Sequence, residues 1–171
     1  GINFNWEDTG YANKEVIEFH QALNKKAAEN GFNNFHMGIY TAVQGLTTAN
    51  VSALYGDSKG RTCDFFANYS AGDFAWARMD NTAKTAIKAT GSIDGVYQGV
   101  WIVSMDRYWS KLNNTEDAKK VSLCLWGEHA QSRFWSYNYG DDTYDRQSNY
   151  QYLLERVVSG GNRNPLYRPA I

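Results

Sequence analysis

The sequence predicts an α/β fold built on a parallel sheet, and two observations carry this prediction. Short apolar segments of strand character alternate with segments of helical periodicity along the 171 residues. Parallel strands need such crossover segments between them, and strands buried on both faces form continuous apolar runs, such as "VWIV" at 100–103. We therefore expect a parallel sheet or barrel, in one domain long enough to bury a core.

The strand-like segments are bounded by glycines and turn residues, and the pattern predicts five of them, at 1–7, 34–43, 63–70, 96–105 and 121–126. In the first, "GINFNWE", Asn3, Asn5 and Glu7 fall on one face of a strand whose other face is apolar. This alternation fits the solvated face of an antiparallel strand as well as a strand that lines a barrel with polar groups.

Helical periodicity separates these strands. We predict a helix over 13–31, with Asn13 as its cap and Gly31 at its end, and a shorter one over 81–91 that Asn81 would cap. Further helical segments are predicted at 49–54, 114–120 and 144–161. Residues 1–161 would form the domain, and 162–171, which contain both prolines, an exit linker.

Composition excludes several classes of function. The net charge is -1 and the basic residues are scattered, so no nucleic-acid partner is expected. No apolar run is long enough to span a membrane, and no signal peptide is visible in the chain. We expect neither metal nor cofactor, because the histidines lack metal-ligand spacing and no strand precedes a glycine-rich phosphate loop. The absent loop also disfavours an oxidoreductase domain. Aromatic residues reach 15% and many lie among polar ones, which suits a surface that grips sugars.

The carboxyl ends of the predicted strands are where α/β folds place their chemistry. The side chains found there include Glu7, Tyr40, Tyr69, Asp106 and Trp126. This convergence favours an active site over a merely solvated strand as the reason for the polar residues of "GINFNWE".

Three of these segments resemble motifs of family 18 glycoside hydrolases, the chitinases and endo-β-N-acetylglucosaminidases. "GINFNWE" is similar to the D-G-x-D-x-D-x-E signature of their fourth barrel strand, with Glu7 at the final glutamate. "ANYS" is similar to the M-x-Y-D motif of the sixth strand, with Tyr69 at the tyrosine and Ser70 at the aspartate. Trp126 resembles the tryptophan that ends the eighth strand. The resemblance implies a (β/α)8 TIM barrel, of which this chain covers strands four to eight.

The resemblance also implies roles for individual residues. Glu7 would be the general acid and base, and Asn5 would hold the 2-acetamido group of the substrate, whose oxygen attacks C1. Strand geometry puts the two residues about 6 to 7 Å apart. Substrate-binding roles fall to four further residues, namely Asn3, Tyr40, Tyr69 and Trp126. We expect Asn3 to be a packed lumen residue that supports Asn5.

The departures from the family pattern leave alternatives open. Asn3 and Asn5 stand where the family has aspartates, but an Asn-x-Glu pair also resembles the catalytic pair of family 85 endoglycosidases. The favoured function is therefore an endo-β-N-acetylglucosaminidase acting on the chitobiose core of N-glycans, secreted or at the cell surface. A chitinase is one alternative. Because Ser70 replaces an aspartate, an inactive chitinase-like lectin is the other.

Two structural expectations follow. Cys63 and Cys124 would lie on strands separated by a third strand, too far apart for a disulfide, so both should be free and largely buried thiols. Five strands also cannot close an eight-stranded barrel, so we expect the first three strands to precede Gly1. Without them, the chain would expose an apolar strand edge and tend to aggregate.

Overall fold

The computed structural model describes residues 1–68, 76–101 and 121–126. In chain order, the strands are β1 (Ile2–Asn5), β2 (Met37–Tyr40), β3 (Gly56–Asp57), β4 (Gly60–Arg61), β5 (Asp64–Ala67), β6 (Val96–Trp101) and β7 (Ser122–Trp126). Five of them form one sheet in the order β1-β2-β5-β6-β7, and every neighbouring pair is parallel. The predicted α/β fold with a parallel sheet is confirmed for these residues, and β3 and β4 form a separate antiparallel hairpin.

The helical elements are a 3-10 turn (Thr9–Ala12), α1 (Lys14–Glu29), α2 (Val51–Leu54) and α3 (Trp76–Thr90). Helix α1 ends at Glu29, and the predicted stop residue Gly31 follows its cap with a φ of +82°, which lets the N–H of Phe32 donate to the carbonyl of Ala27 at 3.0 Å. This left-handed glycine and its backbone bond are the Schellman arrangement. Asn13 does occupy the N-cap of α1, although its side chain makes no capping hydrogen bond.

The prediction for the third helix was wrong at its start. Helix α3 begins at Trp76, so Asn81 lies inside it instead of capping it. The buried residues Met79, Ala83 and Ala86 recur at helical spacing from a point before Asn81. Packing of this stripe on the sheet therefore overrides the local capping preference of asparagine. The helical segments predicted at 114–120 and 144–161, and the exit linker at 162–171, lie outside the described residues.

The two faces of the sheet differ in what they carry. On one, Ile39, Phe65 and Val96 are fully or almost fully buried, in a cluster with Leu54 of α2 and Met79 of α3. Helix α1 covers the same face, because the ring of its Phe19 contacts Phe4 of β1 in an edge-on arrangement, with centroids 5.9 Å apart. We call this the helix-covered face, and all three α-helices that the structure describes pack on it.

The opposite face is polar and aromatic. Because side chains alternate along a strand, Asn3 and Asn5 of β1 point away from the helix-covered face, and so do their in-register neighbours across the sheet. We call this side the polar-aromatic face, and its positions include Asn3, Asn5, Gly38, Tyr40, Asp64, Phe66, Tyr97 and Ser122.

A charged cluster lies at the amino ends of the strands. The side chain of Asp64, at the start of β5, is only 9% exposed, and its two oxygens lie 3.2 Å from Nδ1 of His36 and 3.3 Å from Nε of Arg61. The three groups tie together β5, the residue preceding β2 and the end of β4. At this edge of the sheet, the Asp64 carboxylate therefore interacts with neighbouring side chains and has a structural role.

Candidate functional site

The carboxyl end of β1 is held in a defined conformation around Glu7. The N–H of Trp6 donates to the carbonyl of Tyr40 at 2.7 Å, which prolongs the pairing of β1 with β2 beyond Asn5. On the other side of Glu7, Oδ1 of Asp8 accepts from both the indole N–H of Trp6 and the backbone N–H of Gly10, each at 2.6 Å. The backbone that carries Glu7 is thus fixed from both sides.

Glu7 itself lies two residues beyond the end of β1, since the strand stops at Asn5 and not at residue 7 as predicted. Its side chain is exposed and makes no hydrogen bond or ion pair with any residue that the structure describes. An exposed carboxylate on a fixed backbone is available to a ligand. Asn5 is also exposed, at the last position of the strand.

Asn5 begins a row of side chains that crosses the polar-aromatic face. The strand registers align Asn5 with Tyr40, Tyr40 with Phe66, and Phe66 with Tyr97. The rings of Phe66 and Tyr97 are stacked, with centroids 4.9 Å apart and an interplanar angle of 12°. Tyr40 is only 3% exposed, whereas Phe66 and Tyr97 are half-buried. The row therefore places an amide and a partly accessible aromatic surface on the same face, with β2 and its buried Tyr40 between them.

Gly38 permits this arrangement. A Cβ atom at this position would lie 2.5 Å from Cε2 of Phe66 and 2.7 Å from Oδ1 of Asn3. Only glycine allows these two side chains to approach the β2 backbone from either side. Asn3 is exposed and borders Gly38, which differs from the expectation that it would be a packed residue. The reason is that its strand, β1, is the outermost of the described sheet, so it has a neighbouring strand on one side.

Amide groups join the carboxyl ends of β2 and β5 to the middle of β6. The side chain of Asn68 donates to the carbonyl of Ala42 at 3.0 Å, its backbone N–H donates to Val43, and its own carbonyl accepts from Nε2 of Gln98 at 3.3 Å. Ala42 has a φ of +63°, a left-handed conformation that is strained for a residue with a Cβ atom. This clamp holds a strained residue at the candidate site, where such strain is commonly found.

The remaining candidate residues divide into two groups. Tyr69, like Ser70, lies outside the described residues, so its expected role at the sixth barrel strand stays a prediction. Trp126 is the last residue of β7 that the structure describes, and it pairs in register with Trp101. Its role as the floor of a sugar pocket also stays a prediction.

Sequence reasoning missed Phe66 and Tyr97. Each lies on a predicted strand, but on separate elements about thirty residues apart in sequence, and only the β5–β6 register shows that their rings meet. The alternation within "CDFFANYS" could have placed Phe66 on the same face as Asn68. No local signal in the sequence gives the stacking itself.

The cysteines agree with the predicted placement. Cys63 immediately precedes β5, Cys124 lies on β7, and both are free, as predicted; Cys63 is also buried as predicted, whereas Cys124 is only partly buried. Burial, with a further contribution from Asp64, raises the pKa of the Cys63 thiol to about 12. Its Sγ lies 3.5 Å from Nδ1 of His20. At neutral pH this buried thiol keeps its proton, and it is therefore not a nucleophile.

The described residues offer neither a metal-binding group nor a membrane-spanning helix. Among them, no three histidine, cysteine, aspartate or glutamate side chains are grouped closely enough to hold a metal ion. No helix in the described part of the chain has the length and apolar character to cross a membrane.

The side-chain amides of two potential glycosylation sequons form hydrogen bonds within the structure. Asn50 donates to the carbonyl of Gly45, and Asn68 donates to the carbonyl of Ala42.

Comparison of the chain with models of protein families, with curated proteins and with solved structures gave no match. The class that the described residues define is an α/β protein with a parallel sheet, and the candidate site lies at the carboxyl edge of its polar-aromatic face.

Proposed function

We propose that the protein is a glycoside hydrolase that cleaves β-1,4 bonds next to N-acetylglucosamine, with the chitobiose core of N-glycans as its substrate. The observation that carries the proposal is the row from Asn5 to Tyr97, with Glu7 just beyond its β1 end. Pyranose rings present apolar faces edged by hydroxyl groups, and stacked aromatic rings with an amide two strands away on the same face complement both features.

The proposed fold is a TIM barrel whose lumen is lined by the polar-aromatic face. Two observations support it. The described strands follow one another in the sheet in chain order, without a reversal, and the described helices all pack on the other face. In a barrel, helices form an outer ring, whereas doubly wound sheets carry helices on both faces. Glu7 would then lie at the carboxyl-terminal mouth, where barrel enzymes bind their substrates.

The proposed reaction uses the substrate's own acetamido group as the nucleophile. The acetamido oxygen attacks C1 and the bond from C1 to the glycosidic oxygen breaks, while the Glu7 carboxyl group gives its proton to the departing oxygen. Asn5 orients the acetamide during this step. This step forms an oxazolinium ion in which the acetamido oxygen is bonded to C1. Water then attacks C1, the bond from C1 to the acetamido oxygen breaks and restores the acetamide, and Glu7 takes up the water proton, so the product keeps its β configuration.

A lectin is the second candidate, and the amides on β1 favour it. Asn3 and Asn5 are both exposed on the polar-aromatic face, and their neutral amides cannot act as a general acid or base. Together with the stacked rings, they could bind an N-acetylated sugar without turnover. A binding site of this kind would need Phe66 and Tyr97 but not Glu7.

Incubation with a high-mannose glycopeptide and with a chitooligosaccharide distinguishes these functions. The protein that carries this chain should release the glycan with one N-acetylglucosamine left on the peptide, as read by mass spectrometry. Cleavage of the chitooligosaccharide alone would indicate a chitinase, and binding of either substrate without cleavage would indicate the lectin.

Asn5 provides a matched pair of variants for the same assay. Asn5→Ala should slow hydrolysis because the acetamide is no longer positioned. Asn5→Asp should retain hydrolysis or shift its pH profile, since aspartate occupies this position in the family that the sequence resembles. Equal loss of activity in both variants would contradict the orienting role of Asn5.

A further inference from the structure

A groove of about 520 Å³ lies on the outer surface of the helix-covered side, between α3 and the segment that leads into α2. Its apolar lining includes Leu46, Val51 and Ala89, and its rim carries Lys84 and Lys88 of α3. The volume is within the range of about 300 to 1,000 Å³ that is typical of small-molecule sites. The groove is remote from the polar-aromatic face, because α3 packs on the opposite side of the sheet.

The wall opposite α3 is held in place before any ligand arrives. The backbone N–H of Leu46 donates to Oγ1 of Thr82 at 3.1 Å, and the N–H of Thr47 donates to Oδ1 of Asn50 at 2.7 Å. A Cβ atom at Gly45 would lie 2.7 Å from Oγ1 of Thr82, so glycine is needed for the segment to come this close to α3. The apolar floor is thus largely pre-formed, which reduces the entropy lost on binding.

The charges on the rim are unusual when α3 is compared with α1. On α1, Lys14 and Lys25 each face a glutamate one turn later, Glu18 and Glu29, with N–O distances of 3.3 and 3.9 Å. On α3, an acidic residue, Asp80, lies one turn before Lys84, but the residue one turn after it is another lysine, Lys88. Two like charges at this spacing disfavour the helix.

Neither of these two lysines forms an ion pair with any residue that the structure describes. Side chains four residues apart on a helix lie about 5 to 6 Å apart at their Cβ atoms, so both ammonium groups can reach one anion. Lysine suits this role as a flexible point charge, and it needs no bidentate geometry from the anion.

We propose that the groove binds a small amphiphilic anion, a carboxylate attached to a short hydrocarbon chain. The carboxylate lies between Lys84 and Lys88, and the chain covers Leu46, Val51 and Ala89. The charge complementarity selects an anion over a neutral amphiphile, and the apolar floor selects it over inorganic anions. This site is separate from the proposed glycosidase site and does not rest on that function.

Octanoate is the probe, with 1-octanol as the neutral analogue and acetate as the anion without a chain. Titration of the isotope-labelled protein that carries this chain should shift the backbone amide signals of residues 81–89 and 46–51, with octanoate binding at least tenfold more tightly than either analogue. Equal affinity for octanoate and octanol, or no saturable binding of octanoate, would overturn the proposal.

Two variants and a control locate the binding. Lys84→Gln combined with Lys88→Gln should weaken octanoate binding at least tenfold, whereas Lys14→Gln combined with Lys25→Gln on α1 should leave it unchanged. Thr85→Trp fills the groove from its α3 side and should abolish binding while the amide spectrum elsewhere stays folded. Unchanged affinity in the Lys84 and Lys88 variant, or in the groove-filling variant, would overturn the assignment.

Discussion

Phe65 and Phe66 are neighbours in sequence, yet they lie in two different environments. Phe65 is 0% exposed and packs under the helices, while Phe66 is half-buried on the other face and stacks with Tyr97. The pair shows that a single strand serves two purposes, since its alternate residues build the core and the candidate site. Single substitutions on each face test this contrast, because those on the helix-covered face should affect stability and those on the polar-aromatic face should affect binding.

The largest expected difference is between Phe65→Ala and Phe66→Ala. Truncation of the fully buried ring should lower the free energy of unfolding by about 3 to 5 kcal/mol, because it leaves a cavity that cannot collapse. Truncation of Phe66 should cost about 1 to 2 kcal/mol, since its ring is partly solvated and loses mainly the stacking contact.

Denaturant unfolding measures the stability of both variants, and their affinity for chitobiose shows whether the candidate site still binds a sugar. Only Phe66→Ala should weaken binding per folded molecule. If Phe65→Ala weakened chitobiose binding as much as Phe66→Ala does, under conditions in which both variants are fully folded, the two faces would not be functionally distinct.

The second prediction separates the two ends of the polar-aromatic face. Asp64 belongs to this face but lies at its amino edge, where it interacts with His36 and Arg61. Asp64→Asn should lower the free energy of unfolding by about 2 kcal/mol, the typical contribution of charge-assisted hydrogen bonds. It should not alter glycan binding or hydrolysis by the folded fraction. A selective loss of activity at unchanged stability would place function at the amino edge as well.

His20 provides a test of the helix-covered face by pH. It is 1% exposed, its Nε2 has no hydrogen-bond partner among the described residues, and burial lowers its pKa from the ordinary value of 6.5. As the pH falls below 6.5, the unfolded chain takes up this proton first. The free energy of unfolding should therefore fall, by at most about 1.4 kcal/mol per pH unit for this group.

The measurement compares unfolding of the unmodified chain and of His20→Leu between pH 7 and pH 5. The leucine variant should lose less stability over this interval, because leucine has no proton to accept. Parallel pH profiles for the two proteins would show that His20 is not protonated preferentially in the unfolded state.

The smallest expected effect concerns the strained residue of the carboxyl edge. Ala42→Gly removes the steric penalty of its positive φ but adds chain entropy to the unfolded state, so stability should rise by about 0.5 to 1 kcal/mol. Ala42→Val should be destabilising, because a branched Cβ is still less compatible with this conformation. Thermal unfolding of the three proteins would contradict the assigned strain if valine were the most stable residue at this position.

The sequence predicted the elements of this fold better than their mutual arrangement. Buried apolar runs and helical stripes indicated each strand of the main sheet, and Gly31 indicated the end of α1. The hairpin of β3 and β4 is too short for periodicity to reveal it. The predicted helix start at Asn81 was wrong, because the buried residues from Met79 onward pack on the sheet and extend α3 to an earlier start. The stacking of Phe66 and Tyr97 depends on strand register, which a single strand pattern does not contain.

The candidate site shows the same division. Asn5, Glu7 and Tyr40 could be identified because strand ends and alternation are local properties. The exposure of Asn3 and the clamp of Asn68 on Ala42 could not, since both depend on which strands become neighbours.

Glu7 provides the most direct test of the central claim, that the carboxyl edge of the polar-aromatic face is a glycosidase site. The measurement is the rate of glycopeptide hydrolysis by Glu7→Gln, together with its unfolding curve and its affinity for the glycan. Loss of a general acid should lower the rate by about 10² to 10⁴. The free energy of unfolding should change by less than about 0.5 kcal/mol, because the side chain is exposed. Glycan binding should persist, since glutamine keeps the shape and polarity of glutamate. Hydrolysis at an unchanged rate would contradict the claim and remove Glu7 from the reaction.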